Sequence, residues 1–244
     1  EFMAATLSSD MDDTDKVQIF VRDAQANGVE VLPPDVNASG YRFEPVHDAQ
    51  SRLGKPPRTM RYGLGAVKGT GQGAVEEILR SRKAGGPFAS LADFCRRIDK
   101  HAVNRRTIEA LIRAGAFDTI EPNRAALLAS VGTAMEAAEP AARSANQVSL
   151  FGDDSGEVVA QEVARVAPWD LRAKLTEEKA ALGYYFSGHL FDHWRDEVRR
   201  IVPMPLARIE PQRELQWMCG VLAAVRVMMT RRGKMVFATL DDGS

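Results

Sequence analysis

Five glycines stand in eleven residues between Gly63 and Gly73, in the stretch GLGAVKGTGQG, and a helical pattern follows directly. Glycine lets a backbone turn tightly and approach a ligand closely. The free N–H groups at the start of the next helix favour a phosphate. Two nucleotide-binding arrangements fail on spacing. A P-loop needs Gly-Lys-Ser/Thr, whereas the order here is Lys68-Gly69-Thr70. A dinucleotide fingerprint needs a third glycine where Lys68 stands, and no βαβ pattern follows. What remains is a loop suited to gripping a phosphate backbone through residues 67–73.

Other candidates for chemistry are weaker. Asp10, Asp12 and Asp13 form a carboxylate cluster, but they immediately precede an amphipathic helix, where capping explains them. His189 and His193 lie one helical turn apart with no third ligand at a suitable spacing, so no metal site is assigned. Cys95 and Cys219 have neither a disulfide or zinc framework nor a base to activate them. No catalytic residue is assigned. A different feature is the pentapeptide Gln147-Val148-Ser149-Leu150-Phe151, an apolar pair in small, polar and acidic surroundings. Its side chains either fold back on their own chain or serve another.

Charge separates these features. The net charge of −1 conceals residues 52–113, which hold 14 Lys/Arg against 5 Asp/Glu, while residues 1–48 hold 3 against 10. A +9 block in a neutral chain is the footprint of a polyanion. A glycine loop opening a helix inside such a block is how a helix-hairpin-helix grips the DNA backbone without reading bases. Twelve cations surround it: Arg58, Arg61, Lys68, Arg80, Arg82, Lys83, Arg96, Arg97, Lys100, Arg105, Arg106 and Arg113. If half contact phosphate, log K falls with log salt at a slope of about −5. A second hairpin is expected where NRRTIEALIRAG meets NRAALLASV through a loop beginning at Gly115. No apolar run approaches the ~20 residues that a bilayer demands, and no signal peptide is recognisable, so a reduced cytoplasm is expected.

The elements that must position these residues are mostly helices. One is expected over DDTDKVQIFVRDAQANG, capped by Asp13 or Thr14 and stopped by Gly28. Pro33 and Pro34 enforce an extended segment. MRYGLGAV reads as strand or turn, and GAVEEILRSRKAGG as a helix ended by Gly85 and Gly86. Three further helices open at Ser90, Asn104 and Asn123. From about residue 139 to 168 periodicity vanishes, and a linker is expected. WDLRAKLTEEKAALG and HLFDHWRDEVRRI resume helical spacing. Three short strands follow, at 218–221, 224–229 and 235–240, which is too few to close a barrel. A fragment of something larger is inferred.

These residues resemble one family closely, the alpha subunits of bacterial DNA polymerase III, the C-family replicative polymerases. The resemblance rests on EFMAATLSSDMDDTDKV, GVEVLPPDVNASGYRF, MRYGLGAVKGTGQGAVEEI, GGPFASLADFCRRID, NRRTIEALIRAGAFD, EEKAALGYYFSGHLFD and RRGKMVFATLDD, in family order from end to end. It implies a mainly α fold. The end of the polymerase fingers region would occupy 1–58 and a tandem helix-hairpin-helix region 59–138. A linker with a clamp-binding peptide at 139–168, a helical connector at 169–212 and the first strands of an incomplete OB-fold β-barrel at 213–244 would follow. It implies duplex DNA bound at Lys68, Gly69, Thr70, Gly71, Gln72, Gly73, Arg105 and Arg106. Gln147, Val148, Ser149, Leu150 and Phe151 would dock on the ring-shaped sliding clamp, with Leu150 and Phe151 as apolar anchors. The family's catalytic aspartates lie upstream of Glu1, so this piece has no catalytic residue or cofactor of its own. The parent polymerase, a nucleotidyltransferase, would use Mg2+ and meet other replicase subunits. Two alternatives stand beside this reading: a non-enzymatic DNA-binding adaptor built from the same modules, and an error-prone C-family polymerase.

Overall fold

Asp13 starts the first long helix by accepting from the N–H groups of Asp15 and Lys16. That helix, α2 (Thr14–Ala26), buries Val17, Val21 and Ala24, and it ends before Gly28 at φ +75°. It packs on α1 (Phe2–Ser9). Asp10 pairs with Lys16 at 2.7 Å. The acidic cluster therefore serves helix ends.

The computed structural model describes residues 1–47, 58–145, 163–231 and 233–244. They divide into two units, Glu1–Tyr184 and Tyr185–Ser244. In the first, β1 (Glu30–Leu32), β2 (Glu44–Pro45) and β3 (Thr59–Arg61) form a small sheet of order β1-β3-β2. β1 runs parallel and β2 antiparallel to β3. A 3-10 turn, Leu64–Ala66, leads to α3 (Gln72–Gly85), α4 (Leu91–Arg97), α5 (Arg105–Ala114), α6 (Arg124–Ala145) and α7 (Leu171–Leu182). Ser90, Asn104 and Asn123 each cap the helix that follows.

The helical core centres on three rings. Phe94 stands edge-on to Phe88 at 4.8 Å and to Phe117 at 5.0 Å between centroids. Leu111, Ile112, Leu127 and Val131 close around them as α4 and α5 pack on α6. The loop after β1 is locked onto this core by Asn37, whose side chain donates to the Phe88 carbonyl and accepts from the Phe88 N–H.

Helix α6 runs on to Ala145, past the point where the sequence loses its periodicity. Its run of alanines keeps a high helix propensity without an amphipathic pattern. Residues 163–166 return to its flank. There the Ala164 N–H donates to Ser130 Oγ, and Asn123 Nδ2 donates to the Val166 carbonyl. The pentapeptide at 147–151 lies outside the described residues.

In the second unit, His189 caps a 3-10 turn, Leu190–His193, in a reciprocal box with Asp192. α8 (Arg195–Ile201) follows. β4 (Val221–Thr230) and β5 (Gly233–Asp241) form one antiparallel hairpin. Two strands thus stand where three were expected, and Met218 and Cys219 lie outside both. A register shift between Leu222 and Ala224 breaks the alternation of a single strand, which is why its sequence reads as two pieces. Asp242 is buried and accepts from the Leu206 N–H, Arg199 and Ser244. Burial alone would raise its carboxyl, yet these donors hold it below the usual carboxylate range.

Among the described residues the fold is mainly helical, with eight α-helices and a few short strands. Replacing Phe94 by Ala removes the middle ring of the aromatic cluster. It is expected to cost about 3–5 kcal/mol, read as a lower denaturant midpoint.

Candidate nucleic-acid interface

The glycine-rich loop divides by what each glycine faces. A Cβ on Gly63 would meet the Arg42 backbone at 2.5 Å, and one on Gly65 would meet the Tyr41 ring at 2.4 Å. These two permit close packing on residues 41–42. Gly69 has φ +82°, a turn conformation that favours glycine. Gly71 and Gly73 have neither reason. Neither has positive φ, and nothing lies within 4 Å of a Cβ at either. They open onto free space at the start of α3.

The start of α3 is also uncapped. Gly71 is its N-cap and offers no side-chain acceptor, and the Ala74 and Val75 N–H groups both turn back to the Gly71 carbonyl. The N–H groups before them face outward with the positive end of the helix dipole. Every other helix of ten or more residues in the first unit begins with a side-chain acceptor, from Asp13, Asn104, Asn123 or Asp170.

Interior bonds fix this open turn. The Thr70 hydroxyl lies 2.6 Å from the Leu64 carbonyl and 2.5 Å from that of Val67, sharing its hydrogen between them. Thr70 is buried, so its side chain braces the loop. The Lys68 N–H donates to the Ala181 carbonyl at 2.8 Å. The Thr107 hydroxyl donates to the Gly69 carbonyl at 3.3 Å. That last bond brings the beginning of α5, with Arg105 and Arg106, beside the glycine loop. Seven of the eight residues expected to meet DNA are therefore exposed: Lys68, Gly69, Gly71, Gln72, Gly73, Arg105 and Arg106. Gln72 donates to Glu76.

The cations of the basic block sort into three groups. Arg82 donates to the Val36 and Ser39 carbonyls, and Lys100 to the Met135 carbonyl. Arg97 lies over the Phe88 ring at 4.4 Å, pairs with Asp93 and donates to the Ser81 and Gly86 carbonyls. These three hold the fold together. Arg80, Arg96 and Arg105 pair with carboxylates of their own helices, and Arg113 pairs with Glu177 of α7 and, more distantly, with Glu109. Lys68 and Arg106 are exposed and pair with no described carboxylate.

The second hairpin turns at Gly115, φ +87°, between α5 and α6. It is organised by a group that sequence reasoning overlooked. Arg124, almost wholly buried, donates to both Asp118 oxygens at 2.7 and 2.6 Å, to the Arg113 carbonyl at 3.1 Å and to Glu178 Oε1 at 3.2 Å. Burial would lower the guanidinium's pKa, but the two carboxylates raise it above its ordinary value. One signal existed. Glu178 sits on the apolar face of α7 with Leu175 and Leu182, where a lone charge needs a partner.

One glycine turn opens on a basic edge and a second, at Gly115, joins α5 to α6, which is the pattern of a helix-hairpin-helix motif. Residues 28–127 match the family described as the helix-hairpin-helix motif. Nearly the whole chain, 99%, is 48% identical to DNA polymerase III subunit alpha of Neisseria meningitidis serogroup B, covering 20% of that protein. All of it aligns with the same subunit of Pseudomonas aeruginosa at 40% identity, covering 22%, and of Escherichia coli K12 at 37%, covering 21%. The chain spans about a fifth of the length of these relatives. It is a homologue, along its whole length, of a segment of the DNA polymerase III alpha subunits. Among the described residues no group of three or more His, Cys, Asp or Glu gathers to hold a metal, and no helix is long and apolar enough to cross a membrane.

Two glycine substitutions are expected to differ in sign. Gly69→Ala forces a side chain to positive φ and should cost about 1 kcal/mol. Gly73→Ala fills open space inside a helix and should stabilise the free protein by up to ~1 kcal/mol. Chemical denaturation of both checks the assignment.

Proposed function

We propose that this chain is a DNA-binding part of a replicative polymerase alpha subunit, and that it holds duplex DNA by its backbone phosphates. The observation that carries the reading is the open start of α3. Its Gly71 and Gly73 have no internal reason to be glycine, and its first N–H groups lack a side-chain cap beside the exposed Lys68 and Arg106. A phosphate there would meet N–H donors, a helix dipole and two cations at once. The contacts read no bases, so binding would be strong in charge and indifferent to sequence.

The rest of the reading follows the relatives. Residues 147–151 would dock the polymerase on a sliding clamp, with Leu150 and Phe151 filling an apolar pocket and Gln147 bonding at its rim. DNA held by the basic edge raises the effective concentration of that peptide near a clamp on the same duplex. Polymerisation, its aspartates and its Mg2+ would belong to family segments beyond the fifth that this chain spans, as would contacts with other replicase subunits. The work would be done in the bacterial cytoplasm.

Duplex binding followed by fluorescence anisotropy across a salt series tests the first part. Lys68→Ala and Arg106→Ala should each weaken binding to any sequence and make the slope of log K against log salt shallower by about 1. Gly73→Ala should weaken binding while the free protein becomes more stable. A folded Gly73→Ala protein with unchanged affinity removes this edge from the DNA surface. For the second part, binding to a purified bacterial clamp should disappear in Leu150→Ala/Phe151→Ala. Equal binding by both proteins would return the pair to its own chain.

A further inference from the structure

Helix α7 does more than continue the chain. It touches both hairpins, through bonds that are inaccessible to solvent or lie at the base of the open turn. Glu178 is fully buried, and its Oε1 accepts from Arg124 at the first residue of α6. One turn later the Ala181 carbonyl accepts the Lys68 N–H at the base of the glycine loop. Tyr184, just beyond the helix, is buried, as is Tyr62, two positions before Leu64. The helix ends at Gly183, φ +93°, where a Cβ would meet Thr14 Cβ at 2.7 Å. On the outer side Glu177 pairs with Arg113 at 2.7 Å.

We propose that Glu178 is a positioning residue for the phosphate-facing edge: through Arg124 and the Ala181 carbonyl, α7 sets the spacing of the first hairpin against the second. The proposal rests on the duplex-binding reading above. A fully buried carboxylate obtains all its compensation from the protein, and a packed apolar pair would stabilise a helix contact as well. What the ion pair adds is a single geometry. The Arg124 fork binds Asp118 in the second turn and Glu178 on α7 at once, so α7 cannot slide without breaking it. The starts of α3 and α5 act as one phosphate-facing edge only when their spacing matches the duplex, and a small misplacement forfeits the joint gain.

The test uses the full chain, a random-sequence duplex and the same salt series. Arg124→Met/Glu178→Met replaces the ion pair by apolar side chains of similar reach, and Glu178→Asp keeps the charge but withdraws it by one methylene. Each folded variant, checked by circular dichroism and thermal unfolding, should bind duplex about tenfold more weakly with a shallower salt slope, as one of two joined sites disengages. Glu178→Gln keeps an oxygen for Arg124 and should stay within roughly threefold of the parent. Either folded variant with parental affinity and slope, even at a lowered melting temperature, overturns the proposal and leaves Glu178 a packing residue. If the parent binds with a steep salt slope and Lys68→Ala weakens it while both α7 variants behave as the parent, only this inference falls. A parent chain without salt-dependent duplex binding overturns this inference and the function it rests on.

Discussion

A guanidinium removed from water must satisfy its donors within the protein, and the first unit is organised around one that does. Arg124 gathers Asp118, the Arg113 carbonyl and Glu178, and so joins α5, the turn after it, α6 and α7 in one network. Burying these charges is costly unless every member is paired. The arrangement therefore tolerates a single geometry. From it α7 reaches the Lys68 N–H, and α5 reaches the Gly69 carbonyl through Thr107. The open start of α3 is thus held from two sides, by α7 and by α5.

Against that satisfied interior the basic edge is conspicuous for what it leaves unsatisfied. Ser90, Asn104, Asn123 and Asp170 all answer helix N–H groups, and Asp13 does so for α2. The start of α3 has only glycine. Arg82, Arg97 and Lys100 are spent on carbonyls, so the +9 block overstates the charge available to a ligand. Arg58, Lys68, Lys83 and Arg106 are exposed with no described carboxylate partner, and of these Lys68 and Arg106 flank the same turn. The electrostatic footprint is smaller than the composition suggests and more sharply placed.

Much of this was legible in the sequence, because helix caps and turn glycines are local signals. Asp13, Ser90, Asn104 and Asn123 cap where their residue types suggest, and Gly28, Gly86 and Gly115 end helices at positive φ. Three things were not legible. Thr70 turns inward because two carbonyls, one six residues before it, need its hydrogen. The hairpin β4–β5 hides behind a bulge. The partnership of Arg124 with Glu178 spans 54 residues, and no spacing rule connects a helix start with a charge on another helix's inner face. Local backbone chemistry can be read from composition and order, while long-range ion pairs need the fold.

Hydrogen exchange of the full chain with and without a duplex would test most directly that the start of α3 and the start of α5 form one phosphate-binding edge. Slowed exchange concentrated at residues 69–75 and 104–107, and relieved by added salt, is the predicted result. Protection confined to β4 and β5, with residues 69–75 exchanging as in the free chain, would contradict it and place the DNA contact in the second unit.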